Sequence, residues 1–125
     1  MDMYREVLLE HYKNPVNYGS IEDADVSYED KNPLCGDVVK YYLKLKNETV
    51  KEAKFEGKGC VICMASASLL SEELIDKEVE EITSMGREEV LDMINLELTP
   101  TRVKCAVLPL MAVKKGLLEY RKVKE

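Results

Sequence analysis

Asp37-Val38-Val39-Lys40-Tyr41-Tyr42-Leu43-Lys44-Leu45-Lys46-Asn47-Glu48-Thr49-Val50 is the stretch whose reading decides the fold. Val39, Tyr41, Leu43 and Leu45 alternate with Lys40, Tyr42, Lys44 and Lys46, the period of two of a half-buried strand over 37–46. Asn47-Glu48 suits a tight two-residue hairpin turn. Val50, Ala53 and Phe55 then supply the apolar positions of a returning strand over 49–57. Residues 24–31 are a further strand candidate, so the pattern predicts a small antiparallel sheet.

Outward from this hairpin the period changes. Met3, Tyr4, Val7, Leu8 and Tyr12 fall at helical spacing over 2–12. That helix stops before Asn14-Pro15, because a residue preceding proline resists the helical region. Residues 14–23 read as a loop. Ile62, Ala65, Leu69, Leu70 and Leu74 mark a helix face running to about residue 75. Shorter helices are expected near 78–83 and 87–95, and a final long one running to about residue 121. Pro109 locates the start of that last helix near Cys105 or Ala106, since proline is tolerated in the first turn, where its missing donor had no partner. The fold class expected is α+β: a three-stranded antiparallel sheet packed against several helices. Its 125 residues suit one domain, 1–125.

Composition narrows the function. A net charge of −6 disfavours a nucleic-acid backbone as partner and suits a basic protein surface better. No apolar run is long enough for a membrane helix. The Met1-Asp2-Met3-Tyr4-Arg5 start lacks a charged-then-apolar signal pattern, so a cytoplasmic location is expected. In that compartment the four cysteines are expected to stay reduced rather than paired as disulfides.

Three of those cysteines sit in suggestive surroundings: Asn32-Pro33-Leu34-Cys35-Gly36-Asp37, Gly57-Lys58-Gly59-Cys60 and Arg102-Val103-Lys104-Cys105. Three thiolates and the Asp37 carboxylate make an anionic ligand set for one zinc ion, or for the two irons of a [2Fe–2S] cluster. The helix pattern puts Cys60 and Cys105 at helix N-termini, where the partial positive charge lowers a thiol's pKa, aided at Cys105 by Arg102 and Lys104. A thiolate is also the sulfur nucleophile, so these placements suit function more than core packing. Asp37 would be the harder and more exchangeable ligand, of use to a site that releases its cluster. Cys63, one turn inside the helix after Cys60, reads either as core packing or as an auxiliary thiol. His11 reads as a polar residue at a helix C-terminus. Met64 and Met111 read as core, and the acidic stretch 72–81 as solvated helix faces.

At these motifs the chain resembles the IscU/NifU-type iron–sulfur cluster assembly scaffold family. The resemblance runs from Tyr4…His11-Tyr12-Lys13-Asn14-Pro15…Asn17-Tyr18-Gly19 through the three cysteine motifs, with Ala65-Ser66-Ala67-Ser68 and Cys105-Ala106-Val107-Leu108. It implies a scaffold rather than an enzyme. On such a scaffold, iron and sulfur from a cysteine desulfurase combine on Cys35, Cys60 and Cys105, with Asp37 as modulating ligand. The labile [2Fe–2S] cluster then passes to apo iron–sulfur acceptor proteins. Two departures stand out. Lys104 occupies the place of a histidine in the IscU branch, and a protonated lysine is no metal ligand. Leu98-Thr99-Pro100-Thr101-Arg102 replaces the Leu-Pro-Pro-Val-Lys segment, which makes an Hsp70-type chaperone a doubtful partner. The Arg-x-Lys-Cys-Ala form is similar to the SufU branch, which implies the alternative of a zinc-dependent sulfurtransferase. The insertion that branch carries between its second and third cysteines is missing here.

Overall fold

The computed structural model describes residues 3–33 and 35–124. Asp2 in the first predicted helix, Leu34 in the first cysteine motif and the side chain of Tyr4 lie outside the described residues. The order is α1 (Met3–Lys13), β1 (Val26–Asn32), β2 (Asp37–Lys46), β3 (Thr49–Lys58), α2 (Val61–Leu74), α3 (Val79–Ser84), α4 (Arg87–Ile94) and α5 (Pro100–Lys124). The strands form one antiparallel sheet in the order β1-β2-β3. Lys46 pairs with Thr49, so Asn47 and Glu48 alone make the turn. Both have positive φ, 52° and 63°, as a right-twisted two-residue hairpin requires. The α+β class and the three-stranded sheet expected from the hairpin stretch are therefore what the chain adopts.

Alternation puts Val39, Tyr41 and Leu43 of β2 and Val50, Ala53 and Phe55 of β3 into the core, all essentially without solvent contact. Tyr41 stacks on Phe55 with ring centroids 5.7 Å apart. The Tyr41 hydroxyl donates to the carbonyl of Ala67, tying sheet to helix. Helix α2 is buried nearly all round, with α1, α5 and the sheet packed about it. Its buried hydroxyls are all partnered: Ser66 Oγ donates to the Ala106 carbonyl at 2.6 Å, and Ser71 Oγ to the Ser68 carbonyl at 2.6 Å. Ser68 Oγ accepts from the Val16 N–H at 2.9 Å and bonds His11 Nδ1 at 2.7 Å. Thus His11 is a pin between α1 and α2 as well as a polar residue near a helix end. The 14–23 loop is held in place by Ser68 and Ser71, Asn17 Nδ2 donating to Ser71 Oγ at 3.1 Å.

Two expectations fail. The final helix begins at Pro100, not near Cys105, and Pro109 lies inside it. Thr99 caps this helix: its Oγ1 accepts from the Arg102 N–H at 3.4 Å, and its carbonyl from the Val103 N–H at 2.9 Å. Pro100 then occupies the first helical position, where its fixed φ is an advantage. The interior proline costs the Cys105 carbonyl its helical donor, and the helix is held past that point by packing on β1 and α2. Gly116 permits this: a Cβ there would stand 2.8 Å from Val26 Cγ1 and 2.9 Å from Tyr28 Cβ. The second failure is Met111, which is 39% exposed, unlike the buried Met64. It lies on the face of α5 that lines a surface groove.

Candidate metal and cluster site

One end of the sheet gathers the sequence-predicted ligands. Cys35 lies in the β1–β2 loop and Asp37 is the first residue of β2. Cys60 follows β3 directly, and Cys105 sits in the second turn of α5. Gly36 takes φ of +79°, a left-handed conformation that glycine adopts freely, and its N–H donates to the Asn32 carbonyl at 2.8 Å. This turn separates Cys35, which is exposed, from Asp37, which is buried. One ligand atom each from Cys35, Asp37 and Cys105 lies within 4.8 Å of the others. The two sulfurs are 3.9 Å apart across 70 positions of sequence.

Asp37 is bound on one side only. Its Oδ1 accepts from the Cys60 N–H at 3.3 Å, while its Oδ2 is buried with no hydrogen-bond partner among the described residues. A buried carboxylate oxygen without a donor is costly, so its persistence points to a cation or donor that belongs there. Space for the carboxylate exists because residue 59 is glycine: a Cβ at Gly59 would come 2.9 Å from Asp37 Cγ. Thiolate sulfur with one carboxylate is a donor set that fits zinc or sulfide-bridged iron.

Cys60 stands slightly apart from this triad. It is the N-cap of α2, its Sγ accepting from the Cys63 N–H at 3.4 Å. The expected helix N-terminal placement thus holds for Cys60 and fails for Cys105, which lies past the first turn of its helix. The lowered thiol pKa expected at Cys105 is reversed as well. Burial, then the neighbouring Cys60, Asp37 and Cys35 groups, push that thiol well above its ordinary value. Lys104 and Arg102 are exposed and do not offset this. Cys63 is completely buried among core residues, and burial first, then Asp37, Cys60 and Cys105, hold its proton firmly. It is thus packed in the core and also adjoins the candidate ligands, which agrees with both of its readings. Exposed Glu72, Glu73, Asp76, Glu78, Glu80 and Glu81 are solvated as expected.

Sequence reasoning missed the Thr99-Pro100 cap and the specific task of Gly59. The first had a signal in a hydroxyl residue directly before proline. The second had none, since only the fold brings residue 59 against residue 37.

An α+β frame whose sheet end collects thiols and one half-satisfied carboxylate defines a class of small metal- or cluster-handling proteins. The NifU-like N-terminal domain model matches residues 3–125, and the chain belongs to that family. It is 40% identical over 131 residues to the iron–sulfur cluster assembly scaffold protein IscU of Thermotoga maritima, covering 92% of each chain. It is also 36% identical over 132 residues to the zinc-dependent sulfurtransferase SufU of Bacillus subtilis, covering 92% of this chain and 89% of that one. Among solved structures it superimposes on an iron–sulfur cluster assembly scaffold protein for the SUF system of Fervidobacterium islandicum, with a TM-score of 0.80 at 27% identity. That match covers 90% of this chain and 94% of the other. No described helix is long and apolar enough to cross a membrane.

Proposed function

We propose that the chain, as one domain over residues 1–125, is a cytoplasmic scaffold. On it a labile [2Fe–2S] cluster is built from iron and desulfurase-derived sulfur, then passed to apo iron–sulfur proteins. Cys35, Asp37, Cys60 and Cys105 hold the cluster. The observation that carries this reading is the convergence of Cys35, Cys105 and the unpartnered Asp37 Oδ2 from three separate segments. Cys35 is the exposed thiol of the set, which supports it as the sulfur acceptor. Its thiolate attacks the outer sulfur of the desulfurase's cysteine persulfide. A new S–S bond forms on Cys35 and the donor's thiolate leaves.

Anaerobic reconstitution with iron and a sulfur source tests the reading. A sulfide-containing chromophore that needs Cys35, Cys60 and Cys105 is the expected result. A protein with all three intact that forms none is not a scaffold. The second reading, a zinc-dependent sulfurtransferase, is favoured by the Arg102-Val103-Lys104-Cys105 motif and by the likeness to the Bacillus protein. Length does not separate the two readings, because both alignments run longer than the share of this chain they include and both relatives carry residues absent here. Metal and acid-labile sulfide content of protein purified without oxygen separates the readings. Stoichiometric zinc that iron and sulfide leave in place favours sulfur transfer.

A further inference from the structure

A groove of about 340 Å³ lies between the end of β1 and one face of α5. Its floor is apolar, formed by Val107, Leu108 and Met111, which are successive positions along one stripe of the helix. Its rim is cationic, with Lys31, Arg87 and Lys104. Asp30 also lines it, but that carboxylate is held by Lys115 at 2.9 Å. Lys31 has Glu29 at 4.0 Å, an exposed pair of little weight. Among the described residues no carboxylate comes within ion-pair distance of Arg87 or Lys104. A cationic rim of this kind is unusual on a chain of net charge −6. The groove also abuts the site: Pro33 in its wall lies two residues before the exposed Cys35, and Lys104 directly precedes Cys105.

We propose that this groove docks an acidic acceptor protein, which seats an apolar side chain against Val107, Leu108 and Met111 and its carboxylates against Arg87, Lys104 and Lys31. The proposal rests on the scaffold reading for the word acceptor. Charge complementarity selects an acidic partner here, since Arg87 and Lys104 have no carboxylate within ion-pair distance among the described residues. Proximity to Cys35 puts the partner's thiolates beside the most exposed thiol of the candidate ligands.

The probe is a cluster-free, acidic [2Fe–2S]-type ferredoxin. Its dissociation constant is measured by calorimetry at low salt against the full chain and against Arg87→Glu, Met111→Asp and the control Lys46→Glu. Residue 87 opens α4, where glutamate agrees with the helix dipole and preserves folding. Lys46 ends β2, at the opposite end of that strand from Asp37, and its reversal changes net charge equally. The expected result is binding by the parent and the control, weakened at least tenfold by Arg87→Glu and by Met111→Asp, and suppressed by salt. Failure of the parent to bind, or equal weakening by the Lys46→Glu control, overturns the groove. Cluster loading, followed separately by absorbance, is expected to be unchanged in Arg87→Glu. A parent that binds ferredoxin through the groove but forms no chromophore retains the docking surface and loses the scaffold reading.

Discussion

Asp37 is both a ligand candidate and a liability to the metal-free fold. Its buried Oδ2 has no hydrogen-bond partner among the described residues, and such a group costs about 1–3 kcal/mol, against about 1 kcal/mol returned by the Cys60 N–H bond. Asp37→Ala is therefore expected to raise the stability of the metal-free protein by about 1 kcal/mol in urea unfolding. In the reconstituted protein the same change should leave assembly possible and slow cluster transfer to an apo-acceptor. Transfer as fast as the parent's would return Asp37 to the role of a turn residue. Gly59→Ala makes the complementary case. Its methyl group would collide with Asp37 Cγ, so metal loading should fall several-fold while far-UV circular dichroism stays that of the parent. The three cysteines and Asp37 were legible in sequence because each stands in a short polar or glycine-marked motif. The burial of Cys105 was not, because it depends on where α5 begins.

At the scale of elements, strand and hairpin positions followed from alternation, and the described strands start and end within two residues of those expected. The helix read wrongly was α5. Pro109 reads as a start signal in the sequence, whereas tertiary packing on β1 and α2 tolerates it inside the helix and Thr99-Pro100 supplies the true start. The serines of α2 carry a testable load. Ser68→Ala removes the acceptor of the Val16 N–H and the partner of His11 Nδ1, at an expected cost of about 1–3 kcal/mol. Hydrogen exchange should show the Val16 amide losing protection before the strand amides do.

For the molecule as a whole, the core does not need the metal. Tyr41, Phe55, Leu43, Leu70, Leu74 and Leu117 are fully enclosed without any ligand. Removal of metal by a chelator should therefore lower the melting temperature, by loss of binding free energy alone, and leave the helical circular dichroism intact. Loss of the fold on chelation would instead mark the metal as structural. Gly116→Val tests the seating of α5 on β1. The added methyl groups meet Val26 and Tyr28, and a cost of about 1–3 kcal/mol is expected together with weaker metal loading, since Cys105 rides on the same helix.

The 70 positions that separate Cys35 from Cys105 give the site a temporal property. On the ribosome, Cys35, Asp37 and Cys60 emerge with the hairpin, well before α5 has been made. A nascent or truncated chain therefore holds an incomplete set of donors and no closing wall. A chain that ends before residue 105 is accordingly expected to load less metal than the full one, which metal analysis of the two side by side would check.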